Sequence, residues 1–279
     1  LDKNKLKLLS GNSKFNLLCM PSDNFPLAED DMIQKNFEVS PKALLKLLNK
    51  TKISISNDET RHYLNGIYLH KIKEENKSFL CAVATDSHRL SYSSLEIDSN
   101  INIDSIILPK KTIFQLVTLL EQTNNSVKIS NNKSKIKFEM ESGVLISKVI
   151  DGRFPDYNKV IPKNNDKVLE IKLNEFKDSI ERVATVSSDR KEGLKMLISK
   201  DALQLSVSNP NSGEGVENIN AKFNSNDLNI SFNSRYLTDI ANHIENELIR
   251  INLKDPGSPV LIQDSSDKNS FHVVMPMKI

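Results

Sequence analysis

The chain has 279 residues, 38% of them hydrophobic and 27% charged, with a formal net charge of +2; that length exceeds one ordinary domain and suits two or a little more, each burying its own core. No apolar run approaches the ~20 residues of a membrane helix, and the two cysteines, Cys19 and Cys81, have no C-x-x-C partner. A membrane span, a zinc module and a disulfide framework are set aside, the small net charge says little about nucleic acid, and a reducing cytosol is the expected compartment.

The first residue is Leu1, and a charged, strand-like segment follows it with no signal-peptide core. Lys5 to Pro26, KLKLLSGNSKFNLLCMPSDNFP, resembles Lys135 to Pro155, KIKFEMESGVLISKVIDGRFP. The chain is therefore expected to open inside a domain of which residues 1–31 are a remnant. From Phe37, FEVSPKALLKLLNKTKISIS, then GIYLHKI and FLCAVAT, read as a unit of strand, helix and further strands. Next, IILPKK leads into the apolar-periodic run TIFQLVTLLEQ and the alternating strands SVKIS, SKIKFEM and GVLISKVI. The same order returns from Leu169 with LEIKLNEFKDSIERVATVSS, LKMLIS and LQLSVS, and again with NISF, NSRYLTDIANHIENEL, IRINLK, PVLIQD and FHVVMPM. One pattern thus occurs four times, as two pairs, and predicts domains at 32–157 and 158–279. Ser40 is expected to cap the first helix with Pro41 at its first position, and Pro109 to play the same part for the second. Strands with period-two alternation suit antiparallel sheets with helices on their buried face, an α+β class. The Asn-rich stretches at Asn124-Asn125, Asn131-Asn132 and Asn164-Asn165-Asp166 read as turns or a domain linker.

Catalytic signatures are scarce. There is no Gly-rich phosphate loop, H-E-x-x-H or G-x-S-x-G, and only eight glycines in all. Thr85-Asp86-Ser87-His88-Arg89 places a carboxylate, a hydroxyl, an imidazole and a guanidinium in a row, and a hydrolase using Asp86 and His88 is one reading of it. Consecutive residues on a strand or turn point to different sides, however, which opposes convergence on one reacting atom. The five histidines, 62, 70, 88, 243 and 272, show no ligand spacing. Neither a cofactor nor a metal is expected.

Lys42, Lys46 and Lys50 recur at i, i+4 and i+8, with Ala43, Leu44, Leu47 and Leu48 opposite. Such a stripe suits non-specific phosphate contact, with Lys110 and Lys111 at the start of the next helix adding to it. The competing reading is a solvated face. The last domain's helices are less clean, since Lys177 and Arg182 are diluted by Glu175, Asp178 and Glu181, and Arg235 is followed by Asp239 and Glu245. The terminal Val273-Val274-Met275-Pro276-Met277-Lys278-Ile279 reads either as an adaptable apolar surface or as a final core strand.

Four motifs taken in order, Tyr63-Leu64-Asn65-Gly66, Thr85-Asp86-Ser87-His88-Arg89-Leu90, Asp151-Gly152-Arg153-Phe154-Pro155-Asp156-Tyr157 and Met275-Pro276-Met277-Lys278-Ile279, resemble those of the bacterial sliding clamp, the beta subunit of DNA polymerase III. The resemblance implies the DNA-clamp fold, each domain carrying two helices on antiparallel sheets. It also implies a head-to-tail homodimeric ring of six such domains, with helices lining a hole through which duplex DNA passes unread. The protein would be a processivity factor and not an enzyme, cytoplasmic and associated with the nucleoid. Lys42, Lys46, Lys50, Lys110 and Lys111 would then face the hole, and Arg61, His62 and Tyr63 match a DNA-touching loop on the ring face. The family's apolar pocket takes a short linear motif from the polymerase catalytic subunit, the clamp loader and repair proteins. Matching positions are Leu64, Thr85, Ser87, His88, Arg89, Leu90, Pro155, Lys159, Val160, Asn233, Tyr236, Val260, Val273, Met275, Pro276, Met277 and Lys278, with His88 and Arg89 as polar rim. Ser87 replaces a common glycine and Lys159 a common arginine. The alternative is a repeat-built interaction scaffold that does not encircle DNA.

Overall fold

The computed structural model describes residues 4–25, 36–187 and 193–278. The chain divides into two units, Leu1–Gln34 and Lys35–Ile279. In the first, β1 (Lys5–Ser10) and β2 (Ser13–Leu18) pair antiparallel, Lys5 opposite Leu18, around a turn in which Gly11 takes a φ of +54°. The domain boundary expected at residue 31 lies outside the described residues, as does Pro26.

The second unit runs through one motif four times: strand, helix, three strands. The first pass is β3 (Asn36–Val39), α1 (Pro41–Lys52), β4 (Gly66–Glu74), β5 (Lys77–Thr85) and β6 (Arg89–Ile97). The second is β7 (Ile106–Pro109), α2 (Lys110–Leu120), β8 (Val127–Asn131), β9 (Lys135–Met140) and β10 (Gly143–Lys148). The third is β11 (Lys167–Lys172), α3 (Leu173–Val183), β12 (Gly193–Ser199), β13 (Ala202–Asn209) and β14 (Gly213–Phe223). The fourth is β15 (Leu228–Asn233), α4 (Ser234–Ala241), β16 (Leu248–Leu253), β17 (Val260–Asp264) and β18 (Ser270–Val274). The sequence patterns miss β6 and β14, because serines and asparagines occupy many of their positions.

Two helices and their sheets enclose each of two cores. Leu44, Leu47 and Leu48 of α1 and Ile113, Leu116 and Leu120 of α2 bury against Leu80, Ala82, Ala84 and Phe138. Phe176, Ile180, Leu237 and Ile240 of α3 and α4 bury against Met196, Leu205, Phe223 and Ile251. Every strand pairing is antiparallel, and β18 pairs with β6, which joins the two halves into one twelve-stranded sheet. Beyond that pair, on the face opposite the helices, Leu64, Val83, Leu90, Ile107, Phe154, Tyr157 and Val273 form a third, smaller cluster.

Local details depart from expectation at the helix starts. Pro41 does take the first helical position, but the Ser40 hydroxyl makes no capping hydrogen bond. Pro109 stands one residue before α2, extended at ψ 145°, because it is still paired with Gly66 as the end of β7. That pairing demands glycine at position 66, where a Cβ would lie 2.2 Å from the Leu108 carbonyl oxygen.

Two buried histidines tie stability to pH. Burial lowers His70 to about 4 and His272 to about 3, from an ordinary value near 6.5. Between those limits the unfolded chain binds protons that the folded chain does not, so stability is full above pH 6.5 and declines as pH falls toward 4. Denaturant unfolding followed from pH 7 to pH 4 should show this decline, and His272→Asn should remove about one proton from its slope.

Candidate functional site

A cleft of about 250 Å³ opens where the two halves meet, lined by Leu64, Thr85, Ser87, His88, Arg89, Leu90, Pro155, Asp156, Tyr157, Val160, Val273 and Met275. Four pieces of chain supply it: a short turn ending at Leu64, the β5–β6 turn, the segment connecting the halves, and the end of β18. Period-two alternation explains the apolar floor. Leu90 and Val273 are opposite one another in the β6–β18 register, so both side chains reach the same face.

The β5–β6 turn is held by its own polar groups. Asp86 Oδ1 accepts from the backbone N–H of His88 at 3.0 Å and of Arg89 at 2.9 Å, and Oδ2 accepts from Arg89 Nε at 3.1 Å. The carboxylate thus organises a turn, and the hydrolase reading of Asp86 and His88 has no geometric basis. Ser87 adopts a φ of +80°, the left-handed region where glycine is unstrained. Its hydroxyl accepts from Arg61 Nη1 at 2.5 Å.

Arg89 differs from its expected place on the rim. It is only 9% exposed, its Nη1 donates to Asp239 at 2.7 Å, and its guanidinium lies 4.3 Å from the Tyr236 ring centre. It is a strut between the halves, tied to both a carboxylate and an aromatic face. The connecting segment is fastened by an aromatic ladder across the junction, in which Phe154 stacks on Tyr68, Tyr68 on His70, and Tyr92 on Phe271. The Tyr157 hydroxyl meets His70 Nε2 at 3.0 Å. Asp156 and Tyr157 are cleft walls absent from the sequence-based assignment, although they belong to the DGRFPDY motif that signals this segment.

Several assigned residues fall elsewhere. Val260 is fully buried in the C-terminal core opposite Val274, because its side chain takes the helix-facing side of the sheet and not the face of Val273; it does not line the cleft, which corrects its assignment to the pocket. Lys159 projects 80% exposed beside Asp156. Asn233 caps α4 by accepting from the Arg235 N–H, and Tyr236 reaches the cleft only through Arg89. The chain end divides the two readings of its sequence: Val274 is core, whereas Met275 and Met277 are exposed, anchored by backbone hydrogen bonds to His88 and Ser231. Pro276 and Lys278 lie alongside, Lys278 exposed.

The lysines separate in the same way. Lys42 and Lys111 are exposed, and Lys110 is half-buried, donating to Asn57 Oδ1 beside the Phe114 ring. Lys46 is exposed but paired with Glu245 at 2.9 Å. Lys50 is 3% exposed, bonded to Asp267 at 2.7 Å and Ser270 at 3.2 Å, which corrects its place in an outward stripe. The cause is that this flank of α1 meets the C-terminal half of the unit. Removing one member of such a buried pair costs ~3–5 kcal/mol. Arg61 bonds Asp58 as well as Ser87, His62 is exposed 3.2 Å from the Asp151 carbonyl, and Tyr63 packs on the junction cluster.

Comparison with known proteins places this geometry. The profile described as "DNA polymerase III beta subunit, central domain" matches residues 38–156, and that described as "DNA polymerase III beta subunit, C-terminal domain" matches 158–278. The beta sliding clamp of Caulobacter vibrioides is 35% identical over the whole chain, which covers 75% of that relative; the Escherichia coli K12 clamp is 31% identical with the same coverage. The chain belongs to the beta sliding clamp family. Among solved clamps, that of Bartonella birtlesii bound to griselimycin superposes with a TM-score of 0.96 at 37% identity, over all of this chain and 75% of that one. A Caulobacter crescentus clamp with polyethylene glycol at a "putative beta-motif tethering region" gives 0.96 at 35% identity, over 100% and 74%. Sliding clamps are non-catalytic accessory subunits of DNA polymerase III, and the chain is accordingly not an enzyme. The scaffold reading without DNA is not favoured. No helix among the described residues is long and apolar enough to cross a membrane.

Ser87 offers a direct test of the turn. Ser87→Gly should leave the melting temperature within about 3 °C of the wild type, relief of strain being offset by greater freedom of the unfolded chain. Ser87→Val should lower stability by ~1–2 kcal/mol, as read by chemical denaturation.

Proposed function

We propose that this clamp chain tethers replication proteins through the junction cleft, by burying leucine and aromatic anchors of a short linear motif on the polymerase catalytic subunit, the clamp loader or a repair protein. The observation that carries the reading is the cleft itself: an apolar floor of Leu64, Leu90, Val160 and Val273, a flexible thioether at Met275, and His88 at its edge. Residues 32–157 and 158–279 act as the clamp's central and C-terminal domains, in a ring that the full-length protein forms as a homodimer on duplex DNA in the bacterial cytoplasm, at the nucleoid. Lys42 and Lys111 supply exposed phosphate contacts, and Lys110, Arg61, His62 and Tyr63 complete the DNA-contacting set. Enclosure supplies processivity, so each ionic contact can be weak and salt-sensitive.

A fluorescein-labelled peptide carrying leucine and phenylalanine anchors should bind the chain, with polarisation as readout. Deleting residues 275–279 should weaken binding at least about tenfold, the equivalent of ~1.5–3 kcal/mol of lost apolar contact, without changing the circular dichroism spectrum. Unchanged affinity would remove the cleft from consideration. For DNA, Lys42→Ala and Lys111→Ala should each reduce the slope of log affinity against log salt by about one.

A further inference from the structure

We propose that Lys50, Ser54 and His272 are positioning residues of the cleft: a buried polar seam beneath β6 and β18 that fixes the strand register on which the peptide site depends. This rests on the reading of the cleft as a peptide site and adds to it residues that touch no peptide.

Lys46, Lys50 and Ser54 follow one another at i, i+4 and i+8 along α1 and its continuation; the two lysines reach across the junction, and Ser54 reaches it through Ser91 of β6. Lys46 Nζ meets Glu245 at 2.9 Å and Asp267 at 3.4 Å, and Lys50 Nζ meets Asp267 at 2.7 Å and Ser270 Oγ at 3.2 Å. The Ser54 and Ser91 hydroxyls are 2.6 Å apart, and Ser91 Oγ lies 2.7 Å from His272 Nδ1. Ser54, Ser91, Ser270 and His272 are all buried, so each of these groups is costly to leave unpaired.

The strand register converts this seam into cleft geometry. Ser270 stands opposite Ser93 and His272 opposite Ser91, while the intervening pairs put Phe271 against Tyr92 and Val273 against Leu90. Side chains alternate faces, so the seam lies on the helix side and the cleft floor on the other. A slip of β18 by one residue against β6 would turn His272 toward the apolar cleft face, carry Val273 away from Leu90 to the helix side and take Ser270 away from Lys50. The polar groups thus exclude the neighbouring registers, which two apolar strand faces would tolerate. The stripe that begins with exposed Lys42 has a different job one turn further on.

The test measures binding of the labelled leucine-phenylalanine peptide and the salt slope of DNA binding for the wild type, Lys42→Met, Lys50→Met, His272→Leu and His272→Asn, at a temperature where each is fully folded. Lys50→Met and His272→Leu should weaken peptide binding about fivefold without altering the salt slope. His272→Asn, which keeps a side-chain hydrogen-bonding group for Ser91, should stay within about twofold of wild type. Lys42→Met should do the reverse, lowering the slope and sparing the peptide. If Lys50→Met fails to fold, Ser54→Ala carries the test with an expected weakening of about twofold. Wild-type peptide affinity in Lys50→Met and His272→Leu, or in Ser54→Ala where that variant stands in, overturns the proposal, as does a salt slope that falls in Lys50→Met. A wild type that binds no peptide overturns the cleft reading itself, and the seam's function with it.

Discussion

The pairing of β6 with β18 is the constraint on which the rest of this structure depends. Among the described residues it is the one strand pairing that makes one sheet out of two repeated halves. Its register decides which side chains face the helices and which face the cleft, and the small serines of β6 let α1 lie close above it. Leu90, Val273 and the aromatic ladder occupy one side; Ser91, His272, Lys50 and Asp267 occupy the other. Hydrophobic burial alone would hold the two strands together, but it is nearly indifferent to register where both faces are covered. Directional hydrogen bonds supply the discrimination that non-directional burial lacks.

Charge is used in two ways along a single helix. An exposed lysine keeps its hydration and can be traded between solvent and a phosphate at small cost, which suits contacts that must be made and broken. A lysine buried beside a carboxylate has surrendered that hydration, and its position is fixed by the partner. Lys42 is of the first kind and Lys50 of the second, although they are two turns apart and chemically identical. Arg89 repeats the second pattern at the cleft wall, where a planar guanidinium can serve two carboxylates and an aromatic ring together.

The two repeated halves are not equivalent. In the central half, β3 pairs with β8 and the sheet β10-β9-β8-β3 stands apart from β6-β5-β4-β7. In the C-terminal half, β14 runs on for eleven residues, pairing first with β13 and then with β11, so that the strands there form one continuous sheet. The extra length of one strand is enough to close the gap, since a few further ladder hydrogen bonds join sheets that in the central half share only the isolated backbone bridge between Ile107 of β7 and Ile150, just past β10, among the described residues.

The order of elements, the repeat, the α+β class and the family motifs were legible in the sequence because they rest on local periodicity and on short runs of residues. Helix α1 announced itself through its proline and its leucine spacing, and the β5–β6 turn through Thr85 to Arg89. Periodicity also showed that Lys42, Lys46 and Lys50 share one flank of a helix, but not what that flank would meet. Only the packing of α1 over β6 and β18 made Lys50 a buried partner of Asp267, more than two hundred residues away in the chain. The same holds for Val260, apolar in the sequence like its neighbours yet turned into the core, and for Tyr157, which became a cleft wall once the connecting segment crossed the sheet. Local sequence determines which face a side chain takes on its own element; what covers that face is settled by contacts between distant segments, and with it whether a cation binds phosphate or fixes a register.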